Sequence, residues 1–231
     1  MAEGLHTITL DKPVRRRVMF AVEFLDPVTR LAVAKGLRPS SKALAAPLLN
    51  RSRRFVWRLD DAPAKRPVHI DLEIDDKMYG PPAEPLDFVI EANDGTHPPA
   101  VFLHSFTLTT TSLYRPPAGV TAAVGRVLEG GGSREPVAGV EVVVEVSHDS
   151  HAGSFASRHV ARTDERGEFS AALVGLTDEK LDHHPTEPGA VDAWLTLTNG
   201  GPSRARPPVR ALRRGRLNYL AQPLLWDPDP P

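Results

Sequence analysis

Between Val140 and Val146 the chain places Val140, Val142, Val144 and Val146 on one side and Glu141, Val143 and Glu145 on the other. A two-residue period belongs to a strand with one face in a core, because successive side chains of an extended chain point to opposite faces. The period recurs elsewhere. Val18, Phe20, Val22 and Phe24 share a face, and Phe55, Trp57 and Leu59 alternate with Val56 and Arg58. Ile70, Leu72 and Ile74 alternate with Asp71, Glu73 and Asp75, and Phe106, Leu108 and Thr110 with Thr107, Thr109 and Thr111. Val191, Ala193, Leu195 and Leu197 alternate in turn, which sets Trp194 on the opposite face with Asp192, Thr196 and Thr198. With 23 prolines and 17 glycines breaking up 231 residues, the expected fold class is all-β, built of sandwiches with many turns.

Smaller elements come from turn chemistry. Asp26-Pro27 predicts a turn, Leu31–Leu37 a second strand, and Phe88–Ile90 and Val101–Leu113 further ones. Two short helical turns are expected: one within Ser40–Asn50, ended by Pro47, and one over Leu176–His184, capped by Thr177.

The net charge of −1 exerts no general pull toward nucleic acid or anionic lipid. The absence of cysteine excludes disulfides, thiolate metal sites and cysteine nucleophiles. No apolar run is long enough for a membrane-crossing helix, so no membrane insertion is expected. The polar start MAEGLHTITLDKPVRRR lacks a secretory pattern, so the expectation is cytoplasmic synthesis without a signal peptide, within a particle that is assembled inside the cell or exported.

Sliding the chain along itself by about 104 residues aligns Thr29-Arg30-x-x-Val33-Ala34 with Ser133-Arg134-x-x-Val137-Ala138, and Phe20 and Phe24 with Val124 and Leu128. The expected organisation is therefore tandem. A lead over 1–13 is followed by a first sandwich over 14–115, a proline-rich linker over 116–119, a second sandwich over 120–223 and a proline-rich tail over 224–231. Two prolines in the connector Tyr114–Gly119 hold it extended, which predicts a fixed relation between the two parts.

The second half carries further motifs: Gly125-Arg126-Val127, Pro136-Val137-Ala138-Gly139, the valine strand, then Thr163-Asp164-Glu165-Arg166-Gly167-Glu168-Phe169. That order resembles the carboxypeptidase regulatory-like domain, a transthyretin-like β-sandwich. The resemblance implies two tandem transthyretin-like or immunoglobulin-like sandwiches and says little of function, since the fold serves many roles. The enzymes of that fold use motifs this chain lacks. There is no His-x-His for an intradiol dioxygenase and no Tyr-Arg-Gly-Ser end for a hydroxyisourate hydrolase.

The remaining candidates are surface groups. His148, His151, His159, His183 and His184 lie in the second half, but without a zinc-type partner motif they read as solvated loop residues. Arg51, Arg53 and Arg54, and Arg213 and Arg214, form basic clusters without interleaved aromatics, which suits acidic protein surfaces better than nucleic acid. Trp57 sides with the core. Trp194 on an outer face and Trp226 in the tail are candidate partner anchors, Trp226 being either frayed or docked on a partner. No phosphate loop, nucleophile elbow or calcium loop is present, so no catalytic residue, metal or cofactor is assigned. The expected function is that of a non-catalytic structural protein, a subunit or adaptor among other protein subunits in a phage-tail-like or secretion particle. The rivals are a glycan-binding module using Trp194 and the threonine faces, and a metal enzyme using the second-half histidines.

Overall fold

The computed structural model describes residues 17–59, 66–90, 103–130, 132–148, 153–175, 188–199, 204–205 and 209–226. The described residues are all-β, without a helix.

The first half opens with β1 (Arg17–Leu25), whose Phe20, Val22 and Phe24 are at most 1% exposed. Asp26 turns the chain, and β2 (Ala32–Val33) folds back on β1, pairing Phe24 with Val33. Gly36, at φ +72°, then re-aims the backbone into β3 (Leu37–Ser40), so the single strand expected over Leu31–Leu37 is two short ones. Ser40–Asn50 holds a turn and the two-residue β4 (Leu48–Leu49) in place of the expected helical turn, since Pro47 and the pull of an open sheet edge favour extended chain there. Next come β5 (Phe55–Leu59), β6 (Arg66–His69) and β7 (Asp71–Ile74), followed by β8 (Tyr79–Gly80) and β9 (Asp87–Ile90). The stretch expected as one strand over Val101–Leu113 is divided, within its described part, into β10 (Leu103–Thr107) and β11 (Thr109–Thr110). One sheet runs in the order β10-β1-β5-β4, with β1 parallel to β10 and antiparallel to β5. β8 and β11 pair with each other, and the ribbons β3-β7 and β6-β9 form two further pairs. Between them lies an aromatic core: Phe20 stacks on Trp57 at 4.8 Å, and Phe24 meets Phe55 and Phe106.

The second half begins with β12 (Ala122–Glu129), followed by β13 (Glu141–His148), β14 (Gly153–Arg162) and β15 (Glu168–Ala172). Then come β16 (Ala190–Thr198), β17 (Arg204–Ala205), β18 (Val209–Arg213), β19 (Leu217–Tyr219) and β20 (Leu224–Trp226). β12 lies antiparallel to β15 and parallel to β19 and β20. β13 sits between β14 and β16 in the larger sheet. The alternating valines of β13 are at most 4% exposed and pack on Ala193, Leu195 and Leu197 in an aliphatic core. The region expected as a helix over Leu176–His184 lies outside the described residues.

Candidate functional site

The two cores meet at the connector, and the contact is polar as well as apolar. β11 joins the larger sheet of the second half, pairing Thr110 with Ala161 of β14 and Thr109 and Thr110 with β8. Beside it Asp26, 4% exposed, accepts hydrogen bonds from the Tyr79 hydroxyl at 2.6 Å and the Tyr114 hydroxyl at 2.9 Å. The amides of Val28 and Thr29 donate to its other oxygen at 2.8 and 2.7 Å. Burial pushes the Asp26 carboxyl up, but the bonds from Tyr79, Thr29, Tyr114 and Val28 outweigh it and hold the group below its ordinary value. Burial and the facing carboxylate push both tyrosines up, so they stay protonated donors.

The network continues across the junction. The Tyr114 ring lies 5.9 Å from the His159 ring, which is 1% exposed. The Ala172 amide donates to His159 Nδ1 at 3.0 Å, which fixes the tautomer: Nε2 carries the proton and donates to Thr110 Oγ1 at 2.9 Å. Burial pushes the His159 pKa down to about 4, so the imidazole is neutral near pH 7. His159 therefore differs from the solvated loop histidine expected of it: its place on β14 turns it inward, where its ring nitrogens are satisfied by the chain. Ser112 closes the junction by donating to Asp164 at 2.6 Å. Burial raises the Asp164 carboxyl, but bonds from Ser112 and from the Glu168 and Arg166 amides hold it lower than usual, which makes it a poor base for activating that hydroxyl.

Beside the connector opens a groove of about 480 Å³ whose lining includes Leu113, Arg115, Val124, Phe169, Tyr219 and Leu220. Its floor is made by close packing at Gly125. A Cβ there would stand 2.9 Å from Leu220 Cδ1 and 3.1 Å from Phe169 Cζ, so a larger residue would push the Leu220 side chain out of its seat. The outer face of β12 carries Val124, Arg126 and Leu128. Strand register sets Val124 beside Tyr219 and Leu128 beside Leu225. Leu113, Tyr219 and Leu225 are 49%, 69% and 47% exposed, an apolar strip bordered by the Arg126–Glu168 ion pair at 2.7 Å.

The residues singled out in the sequence are scattered around this groove and do not converge in it. Trp226 is 8% exposed, in β20 against the aliphatic core. This corrects the expected frayed or docked tail: the register of β20 beside β12 places an apolar side chain inward before the prolines begin. Trp194, opposite Glu145, is half-buried, and its neighbour Thr196 is buried. Arg54 pairs with Glu23 at 2.8 Å, whereas Arg51 and Arg53 are exposed in the turn before β5. Arg213 is exposed at the end of β18, and the adjoining Arg214 is half-buried. The side chains of His148, His151, His183 and His184 lie outside the described residues. Among the described residues no three His, Cys, Asp or Glu side chains form a metal-holding group. The groove itself gave one signal in the sequence, the Gly125-Arg126-Val127 motif; its wall from Tyr219 and Leu220 comes from chain too distant to be read locally.

No protein-family model matches the chain, the carboxypeptidase regulatory-like family included, and no curated protein matches it. Among solved structures it is similar to a double mutant of the shaft pilin SpaA from Lactobacillus rhamnosus GG, at 7% identity over 93% of this chain and 99% of that one, with a TM-score of 0.27. It is also similar to a Streptococcal ancillary pilin, at 10% identity over 89% of this chain and 64% of that one, with a TM-score of 0.29. Likenesses this remote leave the function to be read from the chain's own geometry.

Proposed function

We infer that the protein is a non-catalytic structural subunit that binds other protein chains through its outer surfaces, in a phage-tail-like or secretion particle. The observation that carries this reading is the exposed strip of Leu113, Tyr219 and Leu225 beside a groove set against the junction. Large apolar side chains left in water along one groove, with a charged rim, have the composition of a protein contact. The network from Asp26 through His159 to Ala172 supports a fixed spacer, because relative motion of the halves would strand buried polar groups. Matching backbone at the two strand–turn openings also supports the reading of the halves as two copies of one sandwich.

Mass measurement of the protein taken from its own host tests the reading. A complex heavier than one chain is expected, and Tyr219→Glu with Leu225→Glu should release the subunit while leaving its circular dichroism unchanged. A lone chain at every concentration, or a complex indifferent to both changes, would overturn it.

A further inference from the structure

Two sheet edges in the first half carry opposite charge. β4 ends its sheet. Asn50 N–H bonds to Arg54 C=O across the β4–β5 pair, and since bonded and non-bonded pairs alternate, the Leu49 N–H and C=O point away from β5. Leu48 and Leu49 are 51% and 55% exposed there. The stretch Ser41–Arg54 contains Lys42, Arg51, Arg53 and Arg54 and no acidic residue. Among the described residues Arg54 alone of these has an ion-pair partner, Glu23.

β7 is the counterpart. Asp75 N–H bonds to Gly36 C=O, so by the same alternation the Leu72 and Ile74 backbone groups point away from β3. On that side Leu86 takes the Ile70 amide, Pro85 precedes it, and β7 pairs with β3 alone among the described strands. The outer edge of β3 is different: Pro39 sits where an outward N–H would be, a blunted edge. Beside β7 two carboxylates flank each basic side chain. Arg38 bonds Glu73 and Asp75, and His69 lies between Asp87 and Asp71.

We propose that a second copy of this chain pairs its β4 edge with the β7 edge of the first, with Arg51 and Arg53 facing Asp71 and Glu73. The inference rests on the reading of the protein as an assembly subunit and adds a contact of the chain with its own copy, apart from the strip of Leu113, Tyr219 and Leu225. Because the two edges differ, each contact leaves one β4 and one β7 unpaired, so the contact is head-to-tail and propagates. Pro47, on the outward side of β4, limits the backbone ladder to a few bonds, so charge supplies much of the attraction and the contact weakens with salt. The added strand sets one of Leu48 and Leu49 on the face of Leu72 and Ile74 and leaves the other on the opposite face.

Sedimentation velocity on the purified chain over a concentration series tests the contact. Association is expected to fall as screening shortens from about 10 Å at about 0.1 M salt to about 3 Å at about 1 M. Arg51→Glu with Arg53→Glu, and separately Asp71→Lys with Glu73→Lys, should each weaken it by about tenfold or more. Mixing the two charge-reversed proteins should restore it, because each then offers an edge complementary to the other. Leu49→Pro, which removes the outward donor without touching the bonds to β5, should weaken it at unchanged charge. A wild-type chain that stays monomeric in low salt, reversals without effect, or a mixture that does not re-associate would overturn the proposal. Tyr219→Glu should leave this self-association intact. If the edges fail while the groove variants still break the complex from the host, the assembly reading stands alone; if both fail, the reading falls as well.

Discussion

The two halves open alike and are filled differently. β1 and β12 each run parallel to a late strand and antiparallel to a middle one. After each, an arginine takes a left-handed conformation, Arg30 at φ 60° and Arg134 at φ 53°, and the chain returns to pair Phe24 with Val33 in one half and Leu128 with Pro136 in the other. The first interior is filled by Phe20, Phe24, Phe55, Trp57 and Phe106; the second is filled mainly by valine, alanine and leucine, with Phe169 and Trp226. Similar backbone thus accepts a few large side chains or many small ones, provided the volume closes. The turns differ as much: the first buries Asp26 into the junction, and the second ends in exposed Ser133, bonded to Glu129.

Cores of few large parts should fail harder per residue. Trp57→Ala is expected to cost about 4 kcal/mol and Val144→Ala about 2 kcal/mol in urea unfolding followed by circular dichroism. Equal costs would mean that the two interiors are interchangeable in kind as well as in outline.

The turns give the next contrast. Asp26→Ala takes the acceptor from Tyr114, Tyr79 and two amides at once, with an expected cost of about 3 kcal/mol. Glu129→Gln in the other turn should change stability by less than about 0.5 kcal/mol, as a surface substitution does. A large effect at Glu129 would make that turn a buried anchor too.

Acid should act at the junction. His159 is neutral when folded, with a pKa of about 4, and protonates near 6.5 when unfolded, so the unfolded chain binds more protons between those values. Stability is therefore expected to fall by about 3 kcal/mol as pH drops from about 6.5 to about 4, and His159→Gln should flatten that slope. Asp26, depressed when folded, acts in the same direction below its ordinary value of 3.8. A wild-type profile level from pH 6.5 to 4 would mean that His159 is not held neutral.

Much of the layout was legible because a period of two needs no partner to be read. The inward residues of β5, β13 and β16 could be assigned from their neighbours alone. What was hidden depended on distant chain. Asp26 reads as a turn former, and nothing local shows that Tyr79 and Tyr114 will donate to it. Trp226 sits among prolines that mask a three-residue strand, and its burial depends on β12, about a hundred residues earlier. Gly36 breaks Leu31–Leu37 because its backbone must turn left-handed to reach β7, a demand set by pairing across the fold.

The smallest effect separates backbone from side chain in the two turns. A left-handed non-glycine residue costs about 1–2 kcal/mol against glycine in steric terms, less what glycine loses in the unfolded chain. Arg134→Gly should therefore stabilise by about 0.5–1 kcal/mol, since no described group holds its side chain. Arg30 carries the same strain but donates from Nη1 to Thr107 Oγ1 at 2.9 Å, tying its turn to β10. Arg30→Gly relieves the strain and loses that exposed bond, so its net gain should be smaller, near zero. The two variants compared by thermal unfolding should differ in that order. If Arg30→Gly gained more, the bond to Thr107 would contribute nothing, and the first turn would be held by Asp26 alone.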